Sequence, residues 1–257
     1  MKGEEQKMYI KDVHILYYVG AAILASIMGW LVNVANDRLP EEKTVFSREI
    51  LKKKNRGKQN GWVILAMILS YVMLVYFYGV HKSFYANLPL IKFGLLVPML
   101  LSAFVIDYRL QIIPNRLNLT MFEIGLLITF IYGISNINIA TDMLLGMVTG
   151  AGIFLFITFV GGLIAGKEAM GFGDVKLMGA LGLYFGFGGI IVISLIAFLL
   201  GAIISIGLIV SKKKKTDEYI PFGPFIVLAA MITTFVPFGV LVEILMQIFT
   251  LGMYGRV

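Results

Sequence analysis

From one end to the other, the chain alternates long apolar runs with short polar or glycine-rich breaks. Runs over residues 13–35, 61–78, 90–106, 119–134 and 143–165 each approach the ~20 residues that carry a helix across ~30 Å of hydrocarbon. Residues 177–210 are too long for one crossing, and Gly186-Phe187-Gly188-Gly189 divides them into a tight hairpin of two spans. A last run starts after Pro221-Phe222-Gly223-Pro224 and reaches about residue 237, with 240–251 continuing it or lying at the membrane surface. In lipid the backbone must satisfy its own hydrogen bonds, so each run is predicted to be helical. The expected fold is all-α, a polytopic membrane helical bundle of about eight transmembrane helices. It reads as a single membrane domain over residues 1–257, comprising a first span (13–35), a short basic loop (36–60) and a seven-span core (61–251). Pro98 and the glycines of 143–165 read as devices for kinking and close helix packing.

Composition sharpens this picture. At 59% hydrophobic and 14% charged, with a mean hydropathy of +0.88, the chain is excluded from the ordinary soluble domains. The net charge of +7 does not point to nucleic acid, because it lies in blocks flanking the spans. Sixteen of the 22 Lys and Arg residues fall in alternate breaks, eight of them within 36–60 and four at Lys212 to Lys215. The positive-inside rule assigns those breaks to the cytoplasm and both termini to the outside. Residues 1–12 carry Glu4, Glu5 and Asp12 among their lysines, and no small-residue cleavage pattern follows the first apolar run. That run therefore reads as an uncleaved span. Cysteine is absent and His14 and His81 are the two histidines, so neither a disulfide framework nor a Cys/His zinc site is expected, and no metal.

Two carboxylates stand out against this background. Asp174 lies in Met170-Gly171-Phe172-Gly173-Asp174-Val175-Lys176, and Asp107 in Phe104-Val105-Ile106-Asp107-Tyr108-Arg109, each where an apolar run ends. Carboxylates are costly at such positions and point to a site. The topology drawn from lysines and arginines places both on the cytoplasmic face. If they share a water, mutual repulsion keeps one protonated while the other is ionised, and the two titrate as a unit. One then takes a proton from water while the other polarises a peptide carbonyl. Gly171 and Gly173, lacking Cβ atoms, would let an extended substrate strand approach. Plainer roles compete: Asp174 as the N-cap of the helix after it, and Asp107 as an interfacial partner of Arg109 or Arg116. Lys212 to Lys215 fit a topology anchor or anionic-lipid contact, and Glu123, Asp142 and Glu243 fit interface or bundle pairing, with Glu123 also within reach of the site.

Four stretches together resemble the type IV prepilin peptidases, aspartic proteases of the bacterial inner membrane. They are Gly29-Trp30-Leu31-Val32-Asn33-Val34 with Arg38-Leu39-Pro40, Asp107-Tyr108-Arg109-Leu110-Gln111-Ile112-Ile113-Pro114-Asn115, Gly171-Phe172-Gly173-Asp174-Val175-Lys176-Leu177, and Ile220-Pro221-Phe222-Gly223-Pro224-Phe225. The resemblance implies that Asp107 and Asp174 are the catalytic pair, and that Gly171, Gly173, Lys176, Pro114 and Asn115 of the matching stretches contact substrate. It implies type IV prepilin or pseudopilin precursors as substrates, cut on the cytoplasmic side of their apolar N-terminal helix. The leader removed would be short and basic, ending in Gly before a residue such as Phe. Many members also methylate the new N-terminus with S-adenosylmethionine, and Gly29 lies in the stretch linked to that activity.

This chain departs from the family in its loop after the first span, which is short and lacks the paired Cys-x-x-Cys motifs of many members. A structural zinc is not expected there. A presenilin-like or signal-peptide-peptidase-like protease also uses Gly-x-Gly-Asp, but it cuts within the bilayer. An ion-coupled transporter would place its carboxylates near the midplane and show repeat symmetry, neither of which the sequence suggests.

Overall fold

A computed structural model of the protein describes residues 9–10, 13–43, 45, 60–166, 170–211 and 221–250. Among these residues are eight helices and one small hairpin. Strands β1 (Tyr9–Ile10) and β2 (Val13–His14) pair antiparallel, Tyr9 opposite His14. The helices are α1 (Ile15–Arg38), α2 (Gly61–Tyr78), α3 (Phe84–Leu110), α4 (Asn115–Ser135), α5 (Ile137–Ala165), α6 (Phe172–Val210), α7 (Gly223–Phe235) and α8 (Phe238–Phe249). Six are long and apolar enough to cross a membrane, while α7 and α8 are shorter apolar helices. Most of the basic segment after α1 and the Lys212 to Lys215 block lie outside the described residues.

The chain forms two compact units, residues 1–121 and 122–257, with the boundary inside α4. In the first unit the hairpin leads into α1, where His14 Nδ1 accepts the Leu16 amide at 3.3 Å and caps the helix. The Tyr18 hydroxyl ties α1 back to the Ile10 carbonyl at 3.2 Å. α1 and α2 approach closely at Gly29, where a Cβ would stand 2.9 Å from the Ile64 Cα, so only glycine fits without parting the helices. Further along α1, the Asn33 amide holds the main chain of Asn60 just before α2, accepting its N–H at 3.2 Å and donating to its carbonyl at 3.3 Å. α2 joins α3 through the Tyr71 hydroxyl, which donates to the Gly94 carbonyl at 2.6 Å.

In the second unit α5 is the spine. Gly150 shows how α6 is built: a Cβ there would lie 2.5 Å from the Met178 carbonyl oxygen and 2.8 Å from Ile190 Cγ1. Met178 and Ile190 would stand about 18 Å apart along an unbroken helix. α6 therefore doubles back, and its one non-helical residue is Gly186, at φ 70° and ψ −176°. Such a conformation is essentially confined to glycine. The tight hairpin expected at Gly186 to Gly189 is thus present. The Asp142 carboxylate of α5 accepts the Phe187 amide at 3.3 Å, capping the second arm across the helix pair. The first arm runs antiparallel to α5, with Gly182 against Gly146 and Gly179 against Ala151, while α7 and α8 pack on the second arm around Val192, Leu241 and Leu245.

Several boundaries differ from the apolar runs. α3 begins at Phe84, not at residue 90, and continues through Asp107, Tyr108 and Arg109, leaving only residues 111–114 as the turn expected over 107–118. Apolarity stops before helicity does, because the last helical turn carries the polar residues. α6 likewise starts at Phe172, so Asp174 is its third residue and not its N-cap. The last span ends at Phe235, and Pro237 starts α8 as a separate helix. The sequence carried no expectation of the β1–β2 hairpin.

Candidate functional site

The two predicted catalytic residues lie in different units. Asp107 sits on the last full turn of α3 and is 4% exposed. The helix ends just beyond it, where Gln111 takes a left-handed conformation (φ 56°) and donates its amide to the Asp107 carbonyl at 2.9 Å. Pro114 is buried, and its carbonyl accepts the amides of Leu117 at 3.0 Å and Asn118 at 3.3 Å. The Ile-Pro-Asn segment thus closes one helix and opens the next, with the Asn115 side chain exposed. The guanidinium of Arg109 faces Asp37 of α1 at 4.0 Å, which sets the last turn of α1 beside the turn that holds Asp107.

That last turn of α1 is unusually polar for a buried surface. Asn33, Asn36 and Arg38 are all at least nine-tenths buried, as is Asn118 at the start of α4. Beyond the helix, a hydrogen bond from Lys43 holds the exposed Glu41 carboxyl below its ordinary range. The sequence reading quoted Asn33 and Arg38 within a motif but overlooked Asn36 and Asp37. The available signal was a run of four polar residues, Asn33, Asn36, Asp37 and Arg38, within six positions at the end of an apolar helix.

Asp174 occupies the first turn of α6, also 4% exposed, and its amide donates to the Gly171 carbonyl at 3.1 Å. Val175, Leu177 and Met178 around it are buried, whereas Lys176 is exposed with its ammonium 5.6 Å from the centre of the Phe172 ring. Gly171 and Gly173 are half-buried. Extending the α5–α6 register by one turn brings Asp174 level with Phe154 of α5. The Phe154 ring stacks on Phe198 of the second arm at 5.5 Å between centroids and meets Phe222 at 5.9 Å. Phe222 belongs to the Pro-Phe-Gly-Pro stretch that opens α7, so two of the sequence motifs converge at one level of the second unit. α5 continues 11 residues past Phe154, about 16 Å. Asp174 is therefore set well back from the end of α5, a recession the sequence reading did not foresee.

Gly29, the residue expected near a cofactor, packs against Ile64 of α2. Among the described residues, no three His, Asp or Glu side chains come together as a metal site would require.

The sequence profile described as the Type IV leader peptidase family matches residues 94–206, which take in both Asp107 and Asp174. Curated relatives named prepilin leader peptidase/N-methyltransferase include the Aeromonas hydrophila protein, 32% identical over 138 residues, covering 54% of this chain and 47% of the relative. The Escherichia coli K12 relative is 35% identical over 135 residues, covering 51% and 57%, and that of Legionella pneumophila 34% over 139 residues, covering 53% and 47%. The chain thus matches about half the length of these relatives. No solved structure matches it significantly. Two buried aspartates in the expected motifs, the matching profile and these relatives lead to one conclusion: over residues 94–206 the chain is similar to the type IV leader peptidase family.

Proposed function

We propose that the protein is a membrane aspartic endopeptidase that removes the short basic leader of type IV prepilin or pseudopilin precursors, with Asp107 and Asp174 as its catalytic pair. The observation that carries this reading is that each carboxylate is buried on the terminal turn of an apolar helix, within the segment shared with the family. A carboxylate kept out of water without a task is expensive. In the proposed step the ionised aspartate removes a proton from water, and the resulting hydroxide attacks the scissile carbonyl. The protonated aspartate then hands its proton to the departing amine, leaving one proton on the pair for the next cycle.

Gly171 and Gly173 give the substrate strand access beside Asp174, and Lys176, Pro114 and Asn115 line its path. The two units act as one membrane domain of the bacterial inner membrane. The positive-inside distribution supports both termini outside and a cytoplasmic cut. Methylation of the new N-terminus with S-adenosylmethionine is part of the proposal through the relatives' names alone. Gly29 then acts by setting the α1–α2 approach, and no transfer step is derived. The test is cleavage of a pilin-like precursor in membranes by wild type, Asp107→Asn and Asp174→Asn, with labelled S-adenosylmethionine present. Both variants should reach the membrane and leave the precursor uncut, while wild-type product carries label. Cleavage surviving in either variant would remove the aspartyl mechanism, and unlabelled product would remove the methyl transfer.

A further inference from the structure

Asn36 is a buried polar group that this mechanism leaves unused. It is 6% exposed, and among the described residues neither its Nδ2 nor its Oδ1 has a hydrogen-bond partner. A buried amide with both ends unsatisfied is destabilising, and native structures seldom retain one without a reason. A carboxamide offers one acceptor and a donor side by side, which is the complement of a peptide group.

The same helix face already shows this complementarity in use. Asn33, one turn earlier, grips the main chain of Asn60 through both its N–H and its carbonyl, with Asn60 in an extended conformation. Residues three apart share a helix face. Asn36 therefore presents a second, unfilled copy of the Asn33 arrangement, displaced towards the end of α1. Its neighbour Asp37 meets Arg109, two residues beyond Asp107 on α3, so the empty amide belongs to the helix pair that carries the proposed catalytic carboxylate.

We propose that Asn36 is a positioning residue that binds one peptide group of the extended substrate on the Asp107 side of the cut. This deepens the peptidase reading and rests on it. An amide that clamps main chain is indifferent to side chains. The bond it makes is to unreacting main chain, so its loss should weaken binding more than it slows chemistry.

The test uses the full chain in detergent micelles, with Asn36→Leu, Asn33→Leu and wild type compared by thermal unfolding and by cleavage kinetics on the same precursor. Leucine matches asparagine in shape and removes both unsatisfied atoms, so Asn36→Leu should melt at or above the wild-type temperature while KM rises about tenfold and kcat stays within about twofold. Asn33→Leu should melt lower, because it breaks an existing pair. A set of precursors with single ester-for-amide replacements near the cut should contain one that wild type binds less well and Asn36→Leu binds no worse than the parent. Asn36→Leu that melts lower with unchanged KM would overturn the inference, since Asn36 would then be paired within the protein. Unchanged KM at unchanged melting would overturn it equally. Failure of wild type to cut the precursor at all would instead bring down the peptidase reading.

Discussion

Gly146→Ala probes the contact that places Asp174. The added methyl would stand 2.5 Å from the Gly182 carbonyl oxygen, 2.6 Å from the Gly186 carbonyl carbon and 2.8 Å from its Cα, all backbone atoms. Ordinary contact begins at 3.4 Å, so α5 and the α6 hairpin must part by about 0.9 Å at this crossing, the shortfall from 2.5 Å. Overpacking of this kind costs about 1–3 kcal/mol, and rigid main chain on the receiving side puts the effect at the upper end. Alanine returns about 1 kcal/mol of helix propensity. The net loss is then about 2 kcal/mol, equivalent to a fall of about 4–8 °C in melting temperature for a chain of this size.

Asp174 lies eight residues from Gly182 on the displaced arm, so cleavage should fall about 100-fold, the loss expected of a misplacement near 1 Å. Gly152→Ala is the control: it lies on the same helix with nothing within 4 Å of its Cβ position, and should melt at or slightly above wild type. Thermal unfolding in detergent micelles and precursor cleavage read both variants. Equal stability of Gly146→Ala and wild type, or equal damage from Gly152→Ala, would refute the packing argument.

Asp142→Ala should lose about 1 kcal/mol by uncapping the second arm of the α6 hairpin, seen as a melting shift of about 2–4 °C, with Asp142→Asn retaining most of the cap. Tyr71→Phe removes the 2.6 Å bond to the Gly94 carbonyl and should cost about 1 kcal/mol in the same assay, without altering KM.

Helix number and the reversal at Gly186 were legible in the sequence because apolarity and glycine content report them directly. α2 falls on residues 61–78 as expected, since polar Asn60 and Gly79 bracket an unbroken apolar run. The ends of α3 and α6 were not legible. Asp107 and Asp174 belong to helical turns, but their charge breaks the apolar pattern, so hydropathy assigns them to loops. Asn36 escaped for a related reason: motif reading weights aspartates and glycines, and whether a neutral amide is buried and unsatisfied depends on packing by α2 and α3. The convergence of Asp174 with Phe222 rests on the register along α5, which ring contacts and glycine crossings fix and sequence spacing does not.

The central claim, that Asp107 and Asp174 act together, is tested most directly by their proximity. The chain contains no cysteine, so Asp107→Cys with Asp174→Cys places two unique thiols in it. After mild oxidation or treatment with a short thiol-reactive spacer in membranes, trypsin cutting after Lys92, Arg109, Lys167 and Lys176 should release residues 93–109 and 168–176 joined. A linked pair at high yield, abolished when either cysteine is returned to aspartate, is the predicted result. Fragments that remain separate with both the direct bond and the spacer, in protein whose single aspartate variants are inserted normally, would contradict a shared catalytic water.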